Sequence, residues 1–106
     1  MRILFHQGTP LPLKDWLAAH HIETAWQRGW SELSNGELLV AAENANFDLF
    51  VTTDQNLRQQ QELTQRGIAV LVLMVANWPA LEPHAKAIAS VMETMQPGQY
   101  LEWSPS

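Results

Sequence analysis

Asp48-Leu49-Phe50-Val51-Thr52-Thr53-Asp54-Gln55-Asn56 decides how this chain of 106 residues is read. The run Leu49-Phe50-Val51 is apolar, short and rich in aromatic and β-branched side chains, as a buried strand is. The polar residues after it are helix-prone. Asp54 therefore stands at the exit of a strand. In an open α/β sheet that carboxyl edge is where ligands and metals bind. A carboxylate there can ligate a hard cation such as Mg²⁺. It can equally cap the next helix by accepting a backbone N–H, the commoner role for an isolated Asp.

Working outward, short apolar runs alternate with amphipathic stretches, a pattern that predicts one α/β domain over residues 1–106 with a mostly parallel sheet. Ile3-Leu4-Phe5 is the first strand, expected at the centre and flanked by the strands around Leu49 and Val70. Thr9-Pro10 reads as the start of a helix whose core face carries Leu13, Trp16, Leu17 and His20. Residues 22–25 form a short strand. Ser34-Asn35-Gly36-Glu37 opens a second helix running to about Asn46. A third is expected over 55–65, stopped by Gly67. Residues 68–75 are almost wholly apolar, the mark of a strand covered on both faces. Trp78-Pro79 leads into a last helix with Leu81, Ala85, Ile88, Met92 and Met95 on one face, and residues 99–103 make an edge strand.

Composition narrows the function classes. With no cysteine there is no disulfide scaffold, thiolate zinc site or cysteine nucleophile. Eleven acidic against six basic residues give a net charge of −5. Arg2, Lys14, Arg28, Arg58, Arg66 and Lys86 are scattered rather than gathered into a stripe, which disfavours tight non-specific nucleic-acid binding by a monomer. A local RNA contact, or one shared across a dimer, stays open. No apolar run is long enough to span a bilayer, and Met1-Arg2-Ile3-Leu4-Phe5-His6 has no signal-peptide core, so a cytoplasmic protein without a membrane partner is expected. Gly-rich phosphate loops, nucleophile elbows and HExxH helices are missing from the sequence.

Three loops are expected to converge at the carboxyl edge: His6-Gln7-Gly8-Thr9, Ser34-Asn35-Gly36-Glu37 and Thr53-Asp54-Gln55-Asn56. Ser34-x-x-Glu37 is a capping box, in which the Glu reaches back to the N-cap N–H. That role leaves Glu37 further acceptor positions. His6 is a general base, a metal ligand or a turn residue on this reading. Asn56 either orders a metal-bound water or favours a first helical turn. His20 and His21 fit a helix C-terminus, and His84 fits a solvated first turn. Of the five tryptophans, Trp16 fits a core face. Trp26, Trp30 and Trp78 fall in loops, where they close the core, anchor an interface or stack a base.

Taken in order, Leu4-Phe5-His6-Gln7-Gly8-Thr9-Pro10, Leu33-Ser34-Asn35-Gly36-Glu37-Leu38-Leu39, Asp48 through Asn56 with Leu57, and Trp78-Pro79 resemble the small bacterial PIN-like domains. These are a branch of the PIN nuclease superfamily and a family of unknown function. The resemblance covers nearly the whole chain. It implies a three-layer α/β/α domain and ribonuclease ancestry. PIN domains are typically metal-dependent ribonucleases, many of them toxins of toxin–antitoxin pairs, whose acidic residues hold the Mg²⁺ or Mn²⁺ that activates water. Glu37 and Asp54 match two of those acidic positions and are the metal ligands the resemblance implies. With His6 they make the implied catalytic set. His6 itself occupies the place where the family pattern has Asp. Mg²⁺ prefers oxygen ligands, whereas Mn²⁺ tolerates imidazole better. Two readings follow: an RNA-cleaving, toxin-type enzyme with a degenerate or metal-shifted site, or a catalytically inactive module that binds a protein or RNA. The expected partners are an RNA substrate, an antitoxin-like protein and a second copy in a homodimer.

Overall fold

The computed structural model describes residues 1–57 and 66–105. Five strands form one all-parallel sheet: β1 (Arg2–Phe5), β2 (His21–Thr24), β3 (Leu49–Thr52), β4 (Ala69–Leu73) and β5 (Tyr100–Trp103). Their order is β2-β1-β3-β4-β5. The register runs straight across, Glu23 beside Leu4, Leu4 beside Phe50, Phe50 beside Val70 and Val70 beside Tyr100. The α/β class and parallel sheet read from the sequence are present. The central strand differs: β3 occupies the middle, and β1 lies between β2 and β3. The chain from β1 to β2 is short and lays β2 directly beside β1, the usual fate of consecutive elements. The burial pattern accords with this order. All four residues of β3 are buried, whereas β2 carries His21 and Glu23 and is partly exposed, as suits an edge.

Alternation along the strands divides the core between two faces. Ile3, Phe5, Leu49, Val51, Leu71 and Leu73 pack with Leu13, Leu17, Leu81, Ile88 and Met92. Leu4, Phe50, Val70 and Val72 pack with Leu38, Leu39, Ala42 and Phe47. Each fully buried side chain of this size stabilises the fold by about 1.5–3 kcal/mol relative to an exposed one.

Helix α1 (Asn35–Asn44) begins as its sequence predicts. Ser34 is the N-cap, its hydroxyl accepts from the Glu37 N–H, and Glu37 returns the bond to the Ser34 N–H. It ends through Asn46, which adopts φ 65°, a conformation Asn tolerates better than most side chains. The N–H groups of Asn46 and Phe47 then reach back to the carbonyls of Glu43 and Ala42, so the last turn closes on itself.

The helix expected after Thr9-Pro10 is instead a short 3₁₀ helix, Leu11–Trp16. Pro10 and Pro12 withhold two amide donors. Thr9 is buried and caps nothing; its hydroxyl donates to the Val51 carbonyl at 3.0 Å. Leu13 and Leu17 are buried, but Trp16 is 48% exposed and leaves the core face assigned to it. His20 and His21 consequently do not end a helix. His20 lies between the Met1 amine and Glu93, and His21 starts β2 with its Nε2 2.7 Å from Glu23.

After β4 come a single helical turn, α2 (Trp78–Leu81), a 3₁₀ turn (Glu82–His84) containing Pro83, and α3 (Ala85–Thr94). The predicted face of Leu81, Ala85, Ile88, Met92 and Met95 is buried throughout. His84 is not simply solvated, since its ring packs on Trp103 with centroids 5.4 Å apart. The helix expected over 55–65 falls mostly on residues outside the described ones. Among the described residues no helix is long and apolar enough to cross a membrane.

Candidate functional site

Because every strand is parallel, every strand exit lies at the same edge of the sheet. From β1 the chain turns to β2 on one side, and from β3 it proceeds to β4 on the other. The exits of β1 and β3 therefore diverge, and the crevice between two such exits is where open α/β sheets bind ligands. His6 is the first residue beyond β1, and Asp54 follows β3 by two positions.

His6 continues the ladder, its N–H donating to the Val51 carbonyl at 2.9 Å. Its Nδ1 accepts from the Gly8 N–H at 3.2 Å. An N–H donor at Nδ1 puts the proton of the neutral ring on Nε2, so neither nitrogen keeps a free lone pair. Burial lowers the His6 pKa below its ordinary value, and the negative charge of Asp54 partly opposes that shift. Gly8 makes room for the ring: a Cβ there would lie 2.8 Å from Cε1 of His6 and 3.1 Å from the Thr53 hydroxyl oxygen.

Asp54 is held from several sides. Its backbone N–H donates to the hydroxyl of Thr52, itself fully buried, at 3.1 Å. Its Oδ1 accepts from the Asn56 N–H at 2.9 Å, the local turn to which short polar side chains are prone. Its Oδ2 accepts from Nδ2 of Asn35 at 3.1 Å. Asn56, the candidate for ordering a metal-bound water, contributes this backbone N–H. Two glutamines frame the crevice: Gln7 donates to the Ser31 carbonyl at 3.2 Å, and Gln55 to the Met74 carbonyl at 2.9 Å.

Glu37 has a different attachment. Its Oε1 accepts from the Ser34 N–H at 2.8 Å, and its bonds with Ser34 hold its carboxyl below the usual range. It is exposed and lines a shallow groove of about 390 Å³ along α1 with Leu33, Gly36, Val40, Ala41 and Asn44. The structure thus brings His6, Asp54 and Asn35 together and ties Glu37 to Ser34. The sequence reading passes over Asn35. Its signal is its place inside one of the three converging loops, next to a capping serine that fixes where its side chain begins.

The donor chemistry does not make an Mg²⁺ shell as it stands. The residues brought together supply one carboxylate, Asp54: His6 offers imidazole with Nδ1 bonded to the Gly8 N–H, Asn35 presents its N–H rather than its oxygen, and Glu37 Oε1 is bonded to the Ser34 N–H. Mg²⁺ asks for close to six oxygens in strict octahedral array. Among the described residues no group of three or more His, Asp or Glu is placed to share a metal ion. Comparison with family models, with curated proteins and with solved structures finds no match to this chain.

Proposed function

We propose that this chain is a three-layer α/β/α PIN-like domain of ribonuclease ancestry that works as a binding module and has lost Mg²⁺-dependent RNA cleavage. The carrying observation is His6. It sits at the β1 exit of the switch-point crevice with Nδ1 bonded to the Gly8 N–H, where a metal site of this ancestry would want a carboxylate. A protein partner is favoured over RNA. The net charge is −5, which repels a phosphate backbone. Trp26, on the turn after β2 at the same edge, is 74% exposed, an unusual exposure for an indole. An antitoxin-like protein or a second copy of this chain would meet that surface.

The second reading, a Mn²⁺-dependent endoribonuclease of the toxin type, is favoured by Asp54 itself, a carboxylate at the crevice. Titration calorimetry with Mg²⁺ and Mn²⁺, alongside an RNA cleavage assay, separates the two. The unmodified protein is expected to bind either metal weakly and to leave RNA intact. His6→Asp should raise metal affinity about tenfold, or about 1.4 kcal/mol, by restoring one oxygen ligand. Adding Asp54→Ala should remove the gain. Robust metal-dependent cleavage by the unmodified protein, lost in Asp54→Ala, overturns the binding-module reading and establishes the second.

A further inference from the structure

Asp54 is a carboxylate at the crevice whose two oxygens each accept one bond from a neutral N–H donor. Asn56 supplies a backbone N–H from the same turn, and Asn35 supplies its side-chain amide from the first turn of α1. The Asn35 amide can face a carboxylate only through Nδ2, because its own oxygen would be repelled. Facing that way leaves Oδ1 buried with no hydrogen-bond partner among the described residues. An unpaired buried carbonyl is unfavourable, so the orientation is held by the stronger bond to a charged acceptor. The amide N–H is the positive partner of Asp54 Oδ2, the electrostatic role a cation would otherwise fill. Asn35 Nδ2 and Asp54 Oδ2 are 3.1 Å apart.

We infer that the Asn35 side-chain amide stands in for a divalent cation at Asp54, latching the opening turn of α1 to the exit of β3 as a metal-free joint. The idea of a displaced cation rests on the PIN-like reading; the latch rests on the geometry alone. The joint makes Asp54 a structural carboxylate in this chain and Asn35 a second obstacle, beside the His6 imidazole, to a cation in the crevice.

Thermal unfolding with and without millimolar Mn²⁺ tests this on three proteins. The unmodified protein should show the same Tm in both conditions. Asn35→Ala should melt lower, also without response to Mn²⁺. Asn35→Asp sets two carboxylates against each other, so it should melt lower without metal and recover by roughly 5 °C with it. Calorimetry should then give Asn35→Asp at least about tenfold tighter Mn²⁺ binding than the unmodified protein, the gain expected of a second oxygen ligand. A Mn²⁺-dependent rise in Tm of the unmodified protein that Asp54→Ala abolishes overturns the inference, since a cation already sits there. An unchanged Tm in Asn35→Ala overturns the latch. An Asn35→Asp protein indifferent to Mn²⁺ overturns the substitution of amide for cation. RNA cleavage, assayed separately, decides the proposed function; the Tm of Asn35→Ala decides the latch whatever that assay gives.

Discussion

The backbone N–H of Gly8 points at Nδ1 of His6 from 3.2 Å, and a Cβ on Gly8 would stand 2.8 Å from Cε1 of the same ring. Gly8 is therefore required by close approach and not by a left-handed backbone, since the described glycines with positive φ are Gly29 and Gly98. The bond fixes the tautomer of His6, and the missing side chain lets the ring lie over the turn.

Gly8→Ala should push the imidazole off this seat. The Thr53 hydroxyl stands 3.1 Å from the same added methyl, so the turn has little room to yield. A loss of about 1–3 kcal/mol is expected, the usual cost of an added methyl in a packed place. The more telling readout is the His6 ring in NMR titration. Released toward solvent, it should titrate closer to 6.5, the ordinary value. A Gly8→Ala protein with unaltered His6 titration would mean that the ring does not rest on Gly8 in solution.

The pH dependence follows from the same residue. Burial lowers the folded-state pKa of His6 below the unfolded value of 6.5. In the window between the two, the unfolded chain binds more protons than the folded one, so stability rises with pH. The contribution is complete above the unfolded pKa and is lost as pH falls toward the folded one. Denaturant unfolding of the unmodified protein and of His6→Gln, compared from about pH 7.5 down to about pH 5, should show a steeper fall for the unmodified protein. Asp54→Asn removes the charge that supports the imidazolium, so it should lower the His6 pKa further. A rise in that variant would contradict the placement of Asp54 beside His6.

How much of the molecule is legible in the sequence depends on how local the cause is. The α1 start is written in Ser34 and Glu37 alone, because a capping box closes within one helical turn. The strand content of Leu49-Phe50-Val51 and the buried face from Leu81 to Met95 are periodic signals, and the periodicity survives even the break at Pro83. Strand order is not legible in the same way, because it depends on which neighbours the crossovers select, a non-local choice that apolar runs do not encode. Trp16 departs from its expected face because helical spacing assumes an α-helix, and Pro10 and Pro12 leave only a 3₁₀ turn. In the site, His6 and Asp54 are legible as strand exits. The bond from Asn35 to Asp54 is not, because only the fold brings them together across 19 positions in sequence.

Trp26 offers a test of assembly. It projects from a turn closed by the Gly29 N–H on the Trp26 carbonyl at 3.0 Å and the Trp30 N–H on the Ala25 carbonyl at 2.9 Å. Gly29 supplies the left-handed φ of 74° that this turn requires. Trp30, by contrast, packs edge-on to Phe47 beneath Arg28, and Trp78 packs against the core. An indole this exposed on a hydrogen-bonded turn is suited to anchor an interface. Light scattering at micromolar concentration should give a homodimer mass. Trp26→Glu should weaken it by about 2 kcal/mol or more, roughly 30-fold in Kd. A monomer in both proteins would remove self-association and leave a different protein as the partner.

Glu37 separates a capping role from a site role most cleanly. Ser34→Ala removes the hydroxyl that accepts the Glu37 N–H at 3.2 Å. It should destabilise the protein by about 1 kcal/mol, within the range known for N-caps. At this chain length that corresponds to a Tm lower by about 4–8 °C. Glu37→Gln keeps an oxygen able to accept from the Ser34 N–H, since Gln serves the same position in capping boxes. It should therefore lose less than Ser34→Ala near neutral pH. The carboxylate's depressed pKa adds stability that is present above its unfolded value of 4.5 and lost as pH falls through the folded one. The difference between the unmodified and Glu37→Gln proteins should accordingly vanish in acid. Neither substitution should move the His6 titration, because His6 feels burial and Asp54. A Glu37→Gln protein in which the His6 pKa falls would place the Glu37 charge beside the crevice, and would return it to the same site as Asp54.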